Sequence, residues 1–214
     1  MLGIHDLTLF IISGLLLNLA PGPDSILIMT RSATQGWRAG CAAALGIGAG
    51  TCMHVLAAAL GLSALLASSA MAFTVVKWVG AGYLVYIGAT LLLARRRQDG
   101  ASAPGPVLAA LPYRKIFAQG FLTNVLNPKV ALFFLAFVPQ FITPQAPHKA
   151  LAFLVLGAIF NVNGMLWCNF LAVFTALASK RVNMGGSLAR WLNRGIGALF
   201  LSFGVKLALS DSNS

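Results

Sequence analysis

Two ionisable side chains sit deep in apolar stretches of this chain, each beside a proline break. Asp24 closes the segment Asn18-Leu19-Ala20-Pro21-Gly22-Pro23-Asp24, and Lys129 closes Asn124-Val125-Leu126-Asn127-Pro128-Lys129. Proline lacks an N–H and leaves the carbonyl four residues back without its helical partner, here Leu17, Leu19 and Asn124. Beyond each break a half-helix restarts with free N–H groups and the positive end of its dipole. That combination suits a zwitterion, whose carboxylate meets the N–H groups while its ammonium meets freed carbonyls or Asp24. A charge at mid-membrane costs about 2.5–3.5 kcal/mol on insertion scales, and such residues usually face the bundle interior and work in transport. The plainer alternatives are a structural ion pair, or Asp24 capping the half-helix after Pro23. The expected binding region comprises Asp24, Lys129, Asn18, Pro21, Gly22, Pro23, Asn124, Asn127 and Pro128.

Other polar residues fall in apolar stretches: Thr51, His54, Asn161, Asn163 and Asn169. His54 has the chemistry to carry a proton at neutral pH, or to sit neutral against a backbone carbonyl. Asn161 and Asn163 occupy the corresponding position in the second half of the chain. They either line a polar cavity or join helices by hydrogen bonds. Gly46 and Gly50, four apart in an uncharged stretch with no strand before it, read as a close helix contact rather than a dinucleotide fingerprint. Cys41, Cys52 and Cys168 have no metal-ligand spacing and read as small packing residues. The sequence has no GxxxxGK[ST] loop for nucleotide, no HExxH and no GxSxG. No cofactor, no metal site and no enzymatic activity are therefore expected.

The elements that must position these residues are membrane spans. The 214 residues are 58% apolar and only 9% charged, against about 25% charged in an ordinary soluble domain. A span needs about 20 apolar residues, and six stretches qualify: 7–30, 39–66, 70–94, 116–141, 150–178 and 191–209. The first is read as a retained span, because no basic residue precedes it and no small-residue cleavage site closes it. The net charge of +11 would suggest nucleic acid in a soluble protein. Here the bases flank spans instead, so no nucleic-acid partner is expected. Arg31, Arg38, Arg95, Arg96, Arg97, Arg114, Lys115, Lys180, Arg181, Arg190 and Arg194 fall on one side, and Lys77, Lys149 and Lys206 on the other. The positive-inside rule then puts the basic loops in the cytoplasm, near anionic lipid, and both termini outside.

The Pro- and Gly-containing loop 95–115 divides the chain into residues 1–94 and 116–214, three spans each. Each half begins with a proline-broken span. The third spans open alike, on Lys77-Trp78 and Arg190-Trp191. Because three is odd, the second copy must insert upside down, as in the inverted repeats of secondary transporters. The expected fold is thus an all-α polytopic membrane protein, six transmembrane helices in two inverted three-helix repeats. Counting at about 1.5 Å per residue places Pro23 and Pro128 at depths about 12 Å apart, which leaves a direct Asp24–Lys129 pair open.

Leu19-Ala20-Pro21-Gly22-Pro23-Asp24 resembles the signature of the LysE/RhtB-type amino-acid exporters, and Asn127-Pro128-Lys129 with Phe133-Phe134 and Pro139-Gln140-Phe141 resembles their second hallmark. Gly46, Gly50, His54 and Gly61, then Lys77, Gly80, Tyr83-Leu84 and Gly88, and finally Trp191, Asn193-Arg194, Gly197 and Gly204 extend the similarity over nearly the whole chain. The resemblance implies export of amino acids or close derivatives across the bacterial inner membrane, coupled to proton motive force. Neutral or small hydrophilic substrates are preferred, since Asp24 is the only carboxylate within a span. Efflux of another solute such as a metal cation, or a non-transporting membrane scaffold, are the rival readings. A homo-oligomer is left open.

Overall fold

The computed structural model describes residues 2–62 and 110–179, together with Val75, Trp78 and Gly82. The third and sixth expected spans, residues 95–109 of the 95–115 loop and the Lys77-Trp78/Arg190-Trp191 correspondence lie largely or wholly outside the described residues. Within them the chain is helical: α1 (Leu7–Leu19), α2 (Pro23–Gln35), α3 (Trp37–Ala57), α4 (Tyr113–Val125), α5 (Pro128–Leu132) and α6 (Lys149–Ala178). One isolated antiparallel bridge, Ile4 to Ile142, is the only β pairing among these residues.

The breaks fall where the prolines dictate. α1 stops at Leu19, Ala20 and Gly22 are extended, and Pro23 starts α2 at a position where its missing N–H would have had no partner anyway. α4 stops at Val125, and Pro128 starts α5. Asn127 caps that start by accepting the Lys129 N–H on Oδ1 at 3.0 Å. The two bent pairs turn by 54° and 46°. α3 with its widened continuation (Trp37–Gly61) and α6 are each long and apolar enough to span a membrane, and each bent pair has the length and composition of one further span. Many large side chains on the outside are apolar, Leu60, Leu126, Val162 and Leu166 among them. This surface is suited to lipid rather than water.

The bent pairs run in opposite directions. The start of α4 meets the end of α2, where the Gln35 amide donates to the Leu111 carbonyl at 3.0 Å and accepts the Leu111 N–H at 3.2 Å. At the other end the N-terminal segment meets the exit of the second pair: the Thr143 N–H donates to the Gly3 carbonyl at 2.8 Å, and the His5 N–H to that of Phe141 at 3.1 Å. Two clusters fill the interior. Near the Thr143 end, Phe10, Phe133, Phe134, Phe137, Phe141 and Phe160 interlock, with Phe133 and Phe160 ring centres 4.7 Å apart. Near the Gln35 end small residues dominate, with Ala39, Ala43, Ala44 and Ala172 fully buried. There the missing side chains of Gly46 and Gly120 admit the Phe117 and Ala43 carbonyls, so α3 and α4 touch backbone to backbone.

Two expectations are corrected. Arg31 does not lie in a loop: α2 continues to Gln35, and Arg31 is buried within it. The break depths do not differ by about 12 Å. With α2 running to Gln35 and α4 starting at Tyr113, the breaks lie about 18 and 23 Å from that end at 1.5 Å per residue. Beyond Leu132 the second broken span also changes pitch. It widens to a π turn over Phe133–Phe137 and tightens to a 3-10 turn over Val138–Phe141, where Pro139 interrupts the ladder and the Gln140 amide takes the Ala136 carbonyl at 2.7 Å.

Candidate functional site

Each broken helix holds the charge of the other. The Lys129 ammonium, from α5, donates to the carbonyls of Leu17 at 3.0 Å and Ala20 at 2.9 Å, at the end of α1. The Leu17 carbonyl is the one that Pro21 frees. Asp24, in the first turn of α2, accepts on Oδ2 from Asn124 Nδ2 at 2.9 Å and Asn127 Nδ2 at 3.0 Å, both at the second break. Among the described residues the only ion pair within 4.0 Å is His5–Asp6. Asp24 and Lys129 therefore meet polar groups of the opposite break rather than each other. Gly22 makes this possible, because a side-chain carbon there would stand 3.2 Å from the Lys129 Nζ.

Asn124 is the hub. It is buried, and besides bonding Asp24 it accepts from Thr51 Oγ1 on its side-chain oxygen at 3.3 Å. Its carbonyl, freed by Pro128, accepts from His54 Nε2 at 3.0 Å. His54 also stacks parallel to Phe134 at 6.4 Å. A carbonyl oxygen only accepts, so Nε2 carries a hydrogen in this bond.

Between the breaks lies a cavity of about 30 Å³, lined by both breaks, α3 and α6. This is room for a water molecule or two and no more. Asp24 and Asn18 are among its lining residues, and each has a buried polar atom without a hydrogen-bond partner: Asp24 Oδ1, an acceptor, and Asn18 Nδ2, a donor. Buried polar atoms without partners are rare. Among the described residues no three His, Cys, Asp or Glu side chains gather where they could hold a metal.

A profile of the family described as LysE type translocator matches residues 15–211. The chain belongs to that family. It is 34% identical to an uncharacterised membrane protein of Pseudomonas aeruginosa, over 97% of this chain and 96% of that one. It is 29% identical to the leucine efflux protein of Salmonella typhimurium, and equally to that of Salmonella typhi, over 98% of both chains in each case. No solved structure matches. The resemblance carried by the PGPD and NPK segments thus extends to the family as a whole, and this LysE type translocator is a multi-pass membrane protein.

Of the residues singled out in its sequence, Asn18, Asp24, Thr51, Asn124, Lys129 and Asn161 line the cavity. Pro21, Gly22, Pro23, Asn127 and Pro128 build the breaks around it. His54 reaches the site through the Asn124 carbonyl and does not line the cavity. Asn163 is absent from its wall, and Asn169 turns back to the Met165 carbonyl on its own helix at 2.8 Å. Asn161 donates to Cys52 Sγ at 3.3 Å. Gly48, Phe160, Met165 and Cys168 also line the cavity, although nothing in their residue types marks them out. A helical wheel alone would have grouped Phe160, Asn161, Gly164, Met165 and Cys168 on one face of α6.

Proposed function

We propose that this translocator exports amino acids across the bacterial inner membrane by alternating access, with the site between the two breaks as its binding place. The observation that carries this reading is that Asp24 and Asn18 line one cavity between the breaks, each with a buried polar atom lacking a partner, Oδ1 as an acceptor and Nδ2 as a donor. The substrate ammonium bonds Asp24, and its carboxylate bonds Asn18. Similarity to leucine efflux proteins supports an amino acid as the cargo. The cavity at about 30 Å³ admits no amino acid as it stands, so binding requires the halves to part, which is the essence of an alternating cycle.

The opposed bent pairs and their reciprocal bonds support two inverted three-span halves, residues 1–94 and 116–214, joined by the 95–115 loop. The basic loops face the cytoplasm on this reading, and the termini face outward. The proton gradient is the drive, with Asp24, Lys129 and His54 as the ionisable groups gathered at the breaks.

The test is efflux from cells loaded with dipeptides, measured for a broad panel of amino acids with and without the protein. Substrate-specific export is expected, and Asp24→Asn at equal expression should lower it by tenfold or more. No increase for any amino acid would remove the export reading. Wild-type rates in Asp24→Asn would remove Asp24 from the site.

A further inference from the structure

The binding groups described so far recognise only the part common to all amino acids. Beside further polar residues such as Ser25, Thr51 and Asn161, the cavity wall carries the apolar side chains of Ile47, Phe160 and Met165. Met165 of α6 lies across Gly48 of α3: a side-chain carbon on Gly48 would come 2.6 Å from its Sδ and 3.4 Å from its Cγ. Its thioether therefore fills the notch left by the missing side chain. Ile47, Phe160, Asn18 and Asp24 line the same cavity, and Asn161 Oδ1 borders the notch, 3.5 Å from where that carbon would stand. Methionine is unbranched and flexible, and refills irregular space more readily than other apolar residues.

We propose that Met165 and Gly48 form the side-chain subsite, and that Met165 swings aside to admit an aliphatic side chain of its own size. The inference rests on the amino-acid export reading. Met165 occupies in the empty site the volume that a leucine or methionine side chain takes in the loaded one, since those side chains exchange at nearly constant volume. Larger substrates meet Phe160. Smaller ones leave a void, which weakens binding. Gly48 sets the depth of the notch and Met165 its width.

The experiment measures efflux of alanine, valine, leucine and phenylalanine from dipeptide-loaded cells, as ratios within each variant, so that differences in expression cancel. Met165→Ala is expected to raise phenylalanine relative to leucine by about tenfold, the discrimination a methylene or two carries in an apolar pocket. Met165→Phe and Gly48→Ala should each lower leucine relative to alanine by a similar factor. Met165→Leu, which conserves volume, should keep the wild-type ratios. Ratios unchanged across Met165→Ala and Gly48→Ala, while the wild type exports, would overturn the subsite and leave the export reading standing. A wild type that exports no amino acid would overturn both.

Discussion

At the scale of single residues, the Lys129 ammonium acts as a tethered cation. It satisfies two carbonyls at the end of α1, which sits across the cavity from its own helix. A carbonyl in a water-poor interior that loses its donor costs about 1–3 kcal/mol. Lys129→Ala should therefore lower the melting temperature of the purified protein in detergent as well as reduce efflux. Lys129→Arg distinguishes charge from position. The guanidinium is a wide planar fork rather than a point charge, and the space beside Gly22 is already so tight that a single carbon there would stand 3.2 Å from Nζ. The arginine variant should thus keep the charge and still lose most efflux. Gly22→Ala should fall between the wild type and Lys129→Arg, because the ammonium must retreat by only a few tenths of an ångström. Wild-type efflux and melting in Lys129→Arg would show that charge alone suffices and that the fitted contact is incidental.

At the scale of elements, the site depends on how closely α3 and α4 approach, since Thr51 and His54 on α3 hold Asn124 on α4. Gly46 sets that approach against the Phe117 carbonyl, while Gly61 has open space where a side chain would go. Overpacking a close contact costs about 1–3 kcal/mol. Gly46→Ala should therefore lower thermal stability and loosen the Asn124 hub, whereas Gly61→Ala should change neither. Equal melting temperatures for the two variants would contradict this. The breaks themselves were legible in the sequence because proline acts locally: a missing N–H fixes which carbonyl is freed, and Leu17 and Asn124 find partners as that logic requires. The partners were not legible. Which donor reaches Leu17 is settled by folding residues more than a hundred positions apart against each other, and Gln35, Met165 and Gly48 carry no type-specific signal. Arg31 misled for a physical reason. A charge normally marks the edge of a span, but here Arg31 Nη2 is drawn inward to the Gln119 side chain at 2.9 Å and Nη1 to Gln35 at 3.2 Å.

At the scale of the whole molecule, hydrogen bonds tie the two bent pairs at both ends among the described residues. Arg31, Gln35, Leu111 and Gln119 make one tie, and Gly3, His5, Phe141 and Thr143 the other. The small cavity lies between them. On the proposed cycle each tie must open in turn, so locking either should stop export without touching the binding residues. Ile4 and Ile142 are antiparallel bridge partners, which brings their Cα atoms to about 4.5–5.5 Å, within the reach of a disulfide. In a background where Cys41, Cys52 and Cys168 are replaced by alanine and export is retained, Ile4→Cys with Ile142→Cys should cross-link under oxidant. Efflux should then fall to background and return on reduction, while each single cysteine variant exports under both conditions. Undiminished efflux from quantitatively cross-linked protein would mean that this end never opens. Movement would then have to occur elsewhere, and the two ties would be no more than struts of the fold.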